Sequence, residues 1–218
     1  MQRRVPPIAT TWAISPSELG RRLPRLVLGL VLCGFGIALM INANLGLGPW
    51  DVLHQGISTI TGIPIGTAAI LVGVLLLLLW IPLRERPGIG TIANAILIGT
   101  TVDVTRLWLP EPDMLWQQLV FVCVGAFLFG PGSGLYIGAG LGSGPRDGLM
   151  TGIARRGPSV RLVRTLIELT ALGLGLALGG TVGLGTVLFA VTIGPNVQWF
   201  LERWSVDQRP PETAAEIG

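Results

Sequence analysis

The chain has 218 residues, of which 50% are apolar and only 12% charged, with 32 glycines and a mean hydropathy of +0.67. That leaves too little polar surface to cover a water-soluble domain of this length, so the composition excludes an ordinary soluble enzyme and points to a membrane protein. All 15 positive charges are arginine, and the absence of lysine removes every lysine-dependent chemistry.

The first 25 residues carry five arginines and the Pro6-Pro7 pair, with no long apolar run before Leu26. They are expected to form a cytoplasmic tail rather than a cleavable signal peptide. Six apolar stretches follow, at 26–44, 64–83, 89–108, 116–137, 160–179 and 182–202, each near the roughly 20 residues that a helix needs to cross the hydrocarbon layer. With a cytoplasmic N-terminus, Arg106 alone falls outside and the other arginines fall inside, a strong positive-inside bias. The expected location is the bacterial cytoplasmic membrane, multi-pass, with both termini cytoplasmic and 203–218 as the C-terminal tail. This topology accounts for the sequence pI near 9.6, so no nucleic-acid partner is inferred. Trp80, Trp108, Trp116, Trp199 and Trp204 fall near span ends and are expected as interface anchors.

Between the first two spans the chain reads LGLGPWDVLHQGI at 45–57, and 96 positions later it reads LGSGPRDGLMTGI. The repetition extends further. GIGTIANAILIG at 88–99 matches GLGTVLFAVTIG at 183–194. The chain therefore divides into repeat 1 (26–108), an external turn (109–115) and repeat 2 (116–202). Three spans per repeat is an odd number, so the second repeat enters the membrane from the opposite side. The expected fold is all-α: six transmembrane helices in two inverted three-helix repeats. Glycine followed by proline ends one helix and starts another, so each G-x-G-P-x-D turn predicts a short helix, at 49–60 and 145–155. Either helix is too short to cross, and is re-entrant or interfacial.

The paired G-x-G-P-x-D turns, each followed by a short helix and two spans, resemble the YczE-like family of bacterial integral membrane proteins, and more distantly the YitT-like group. The resemblance covers roughly 26–204. It implies a membrane fold and carries no substrate or catalytic residue with it.

Discontinuous helices in paired repeats are a common construction for transporter binding sites. The candidate substrate-binding or coupling residues are Asn44, Asp51, His54, Gln55, Arg146 and Asp147, all in or beside the two turns. Helix capping is the plainer reading of both aspartates, because a carboxylate near a helix start complements its free N–H groups. His54 lies three residues after Asp51 and shares its helix face, a spacing suited to proton exchange, although an interfacial position would serve a histidine equally. Carboxylates in both turns weigh against a free phosphate ligand and towards a neutral polar solute, a cation or a proton-coupled solute. Secondary candidates are Asn42, Asn94, Asp103, Glu168 and Asn196. The asparagines would either line a cavity or bond helices together. Asp103 with Arg106 and Glu168 with Arg164 are at intrahelical pairing distance. Cys33 and Cys123 read as small packing residues.

No H-E-x-x-H, G-x-S-x-G or Walker lysine motif is present, so no cofactor or metal is expected and a membrane-embedded enzyme ranks last of three readings. The leading reading is a small solute transporter or permease with its site between the two turns. The alternative is an accessory or scaffold membrane protein supporting a partner enzyme or complex. The expected partners are the lipid bilayer and a small solute, and a bundle this small is compatible with a homodimer or a partner membrane protein.

Overall fold

The computed structural model describes residues 15–204; of the expected tails at 1–25 and 203–218, residues 1–14 and 205–218 lie outside the described residues. Within them the chain forms eight helices and no strand: α1 (Pro16–Ala43), α2 (Pro49–Thr61), α3 (Ile65–Leu83), α4 (Ile89–Arg106), α5 (Leu115–Gly138), α6 (Pro145–Ala154), α7 (Val160–Ala177) and α8 (Leu184–Trp204). Four of them, α1, α3, α5 and α8, are long and apolar enough to cross a membrane. The helices α4 and α7 have 18 residues each and carry more polar side chains. α1 begins ten residues earlier than the expected span because Ser15 caps it, its Oγ accepting from the Glu18 N–H at 3.3 Å, and Pro16 occupies the first turn. Residues 16–25 are therefore helix rather than tail.

The surface confirms the apolar class. Leu71, Leu75, Leu78, Phe127, Leu166, Val187 and Val191 are all more than half exposed. Apolar exposure on this scale around a bundle is costly in water and cost-free in lipid.

The centre is a seam between α1 and α5, where the backbones approach closely. A Cβ on Gly36 would meet the Gly125 carbonyl oxygen at 2.7 Å, and one on Gly125 would meet the Gly36 oxygen at 2.5 Å. Gly29 and Gly132 repeat the arrangement, at 2.6 and 2.8 Å. Between helices surrounded by lipid, such small-residue contacts supply the association that a hydrophobic effect cannot.

Each glycine-rich turn is anchored by the other half of the chain. The Leu45 carbonyl accepts from the Gly185 N–H at 2.7 Å, and the Leu141 carbonyl accepts from the Gly90 N–H at 2.8 Å. Gly46 and Gly142 have φ of 105° and 124°, a region that side-chain-bearing residues avoid. At α4 the Gly88 N–H is held by Thr91 Oγ1 at 3.1 Å, and before α8 the Gly183 N–H by Thr186 Oγ1 at 3.3 Å. The short helices follow the same exchange: α2 packs on α7, and α6 packs on α3. Trp80 of α3 lies against Gly148 of α6, whereas Gly175 of α7 lies against Val52 of α2. Bulk and gap trade places between the halves.

Two expectations are corrected here. Trp80 is buried rather than interfacial, and its Nε1 donates to the Pro145 carbonyl at 3.0 Å. Asp103 does not pair with Arg106. Its Oδ1 accepts from the Gly66 N–H at 2.6 Å and its Oδ2 from the Thr67 hydroxyl at 2.8 Å, so it satisfies the start of α3. The Arg106 guanidinium donates instead to Asn42 Oδ1 at 3.0 Å.

Candidate solute-binding cavity

Both turns open onto one cavity of about 600 Å³. Its wall takes Gly48, Pro49, Trp50 and Asp51 from the first turn and Gly144, Pro145, Arg146 and Asp147 from the second, closed by parts of α3, α4, α5, α7 and α8. Pro49 and Pro145 each stand in the first turn of their helix behind an extended glycine, Gly48 or Gly144. The two helix starts are thereby aimed into the same space. The volume is in the range of small-molecule sites.

The turns meet across it. The Arg146 guanidinium stacks 4.9 Å above the Trp50 ring, and the two residues occupy the same position, the second variable one, of the G-x-G-P-x-D pattern. A guanidinium over an indole face is a favourable cation–π pair.

Neither aspartate caps its helix by a side-chain hydrogen bond to backbone. Asp51 is buried, with Oδ1 3.4 Å from His54 Nδ1. Asp147 is exposed on the cavity wall, and its Oδ2 accepts from the Tyr136 hydroxyl at a long 3.5 Å. Both carboxylates keep acceptor capacity to spare. Their charges still complement the positive helix ends. His54 is only 1% exposed and is therefore not the interfacial histidine that its sequence allows. Its Nε2 is buried without a hydrogen-bond partner among the described residues, an arrangement that costs free energy unless something else occupies that space.

Of the other candidates, Asn94 and Glu168 reach the cavity. Glu168 Oε1 accepts from Arg164 Nε at 2.9 Å, the expected pair. Gln55, Asn42 and Asn196 bind helices together, and Asn44 does neither. Asn44 is exposed at the end of α1 in a left-handed conformation, with φ 52°. Gln55 Oε1 accepts from the Thr181 N–H and hydroxyl at 2.7 and 2.9 Å, tying α2 to the α7–α8 connection. Asn42 donates to the Leu109 carbonyl at 3.0 Å, and Asn196 to the Ala126 and Phe127 carbonyls at 3.0 and 2.9 Å. Tyr136, Ser133 and Trp50 also line the cavity, and sequence reasoning passed over them. For Tyr136 a signal existed, since a lone tyrosine in an apolar span needs a partner for its hydroxyl.

A model of a family of unknown function, DUF6198, matches residues 20–202, which include every helix that lines this cavity. The chain belongs to the DUF6198 family. It is 40% identical over 195 residues to an uncharacterized protein of Haemophilus influenzae, covering 88% of this chain and 89% of that one. It is 36% identical over 169 residues to the uncharacterized membrane protein YczE of Bacillus subtilis, covering 76% and 79%. A second Bacillus subtilis relative, YyaS, is 29% identical over 168 residues, covering 74% and 83%. No solved structure matches. With its exposed apolar helices and its likeness to YczE, this DUF6198 chain is a membrane protein.

Proposed function

We propose that the chain is a small-solute transporter of the bacterial cytoplasmic membrane, with its site between the two G-x-G-P-x-D turns. The observation that carries this reading is the cavity of about 600 Å³ shared by both turns. A scaffold that only held a partner would gain nothing from keeping charged and polar side chains around a cavity between apolar helices, because each costs desolvation there unless it is used.

The finer architecture belongs to the same proposal. α4 and α7 also cross the membrane, giving six spans, and the two three-span halves run in opposite directions. Two observations support this: the sequence offset of 95 to 96, and contacts that recur between positions related by that offset, such as Gly36–Gly125 with Gly29–Gly132. α2 and α6 are re-entrant rather than surface-lying, since Trp50, Asp51, Val52, His54 and Gly56 on α2 are all buried. Non-helical backbone at the turns is tolerated at membrane depth where it borders protein or a watery space. Alternating access then follows if α2 and α6 rock against the central seam.

Uptake into proteoliposomes, screened against a broad solute panel, tests the reading. Ala190 faces the cavity from an exposed position on α8, so Ala190→Trp fills the space without overpacking a core. Uptake of some solute by the native chain, reduced at least tenfold in Ala190→Trp, is the expected result. Native-level uptake in that variant would place the pathway elsewhere.

A further inference from the structure

The cavity wall carries one uncompensated negative charge. Three carboxylates line it, Asp51, Asp147 and Glu168, against two guanidiniums, Arg146 and Arg164. Glu168 and Arg164 satisfy each other, and Arg146 lies on Trp50. Among the described residues Asp147 has only the long tyrosine contact, and Asp51 has only His54. With Nδ1 facing the Asp51 carboxylate, the neutral imidazole keeps its proton on that nitrogen and presents Nε2 as a bare acceptor. That acceptor is the buried Nε2 without a partner.

From this geometry we infer that the cavity exchanges one proton, held by His54 beside Asp51, for one small organic ammonium ion held by Asp147 and the aromatic wall. The inference rests on the transport reading and names its substrate class. A protonated amine places its N–H groups on the Asp147 carboxylate and its apolar body against Trp50, Phe129 and Phe189, and an ammonium over aromatic faces gains a cation–π contribution as well. Either cation neutralises the wall. Both together would leave a net positive, poorly solvated space, so each weakens the other. When the amine enters, the imidazolium releases the Nε2 proton to water and the ring returns to neutral, so charge and protons balance.

The titratable and charged groups that share the cavity with His54 and Asp51 are Arg146 and Asp147 on α6, Arg164 and Glu168 on α7, and Tyr136 on α5. α3 has no titratable side chain between Ile65 and Leu83. Glu168 is held by Arg164, so beside Asp51 the one further uncommitted carboxylate is Asp147, where the amine sits.

Calorimetry of the detergent-purified full chain with 2-phenylethylammonium tests the inference, with 2-phenylethanol and phenylacetate as neutral and anionic controls. Titration in buffers of different ionisation enthalpy counts the protons released. The native chain is expected to bind the amine in preference to both controls, more tightly as pH rises, releasing up to one proton per amine. Asp147→Asn should weaken amine binding by roughly tenfold or more, whereas His54→Gln should retain binding and lose both proton release and pH dependence. Equal binding of the controls, absence of amine binding at millimolar concentration, or undiminished proton release in His54→Gln would each overturn the inference. Flux is measured separately: amine binding with proton release but no uptake driven by a pH gradient in proteoliposomes would refute the transport reading and leave the site intact.

Discussion

Asp51 and Asp147 occupy the same place in the two turns and yet meet different neighbours, a buried histidine for one and a tyrosine hydroxyl for the other. Neither makes a capping hydrogen bond to backbone, so their removal should cost little stability. Asp51→Asn keeps an acceptor oxygen towards His54 Nδ1 and is expected to change the unfolding free energy by no more than about 1 kcal/mol, read from thermal unfolding in detergent, while abolishing uptake or its pH dependence. Full activity in both Asp51→Asn and Asp147→Asn would reduce the turns to helix breakers. Asp103 should behave in the opposite way. It holds the Gly66 N–H and the Thr67 hydroxyl, so Asp103→Ala should cost about 1–3 kcal/mol with transport per folded molecule unchanged. The sequence supplied Arg106 as the obvious partner for Asp103, because charge spacing along one helix is visible there. The start of a neighbouring helix, 37 residues away along the chain, is not. His54 illustrates the same limit: its face was readable from its spacing to Asp51, but its burial depends on what α2 packs against.

At the scale of helices, the sequence was informative where breaks are local and uninformative where packing is distant. Gly-x-Gly-Pro marks the starts of α2 and α6 at Pro49 and Pro145, because glycine and proline act through their own backbone. That each short helix docks on the opposite half follows from no local pattern. It depends on exchanges such as Trp80 with Gly148 and Gly175 with Val52. The stacking of Arg146 on Trp50 left a faint trace, a cation and an indole at equivalent positions of the repeat. Glycine content signalled close packing but could not say which glycines touch. Those of the α1–α5 seam now make a specific prediction. Gly36→Leu pushes a side chain into the Gly125 carbonyl and should destabilise the bundle by about 1–3 kcal/mol or more, lowering its unfolding temperature. Gly20, with open space where a Cβ would stand, should tolerate alanine with no loss.

For the whole molecule, a membrane fold carries a charged cavity between its helices, and the arginine distribution predicts which way it faces. Cysteine-accessibility labelling should find the 84–86 loop cytoplasmic and the 109–114 turn external. An external C-terminus would remove the inverted repeat, because the span number would then be odd. The transport claim demands more than orientation: the space between the turns must open to each side in its turn. The most direct measurement places a single cysteine at Ala190, in a chain whose Cys33 and Cys123 are replaced, and follows its reaction with a membrane-impermeant thiol reagent added to one face of sealed vesicles and then to the other. Alternating access predicts labelling from both faces, with 2-phenylethylammonium or a change of pH shifting the balance between them. Labelling from one face only, under every condition, would contradict it.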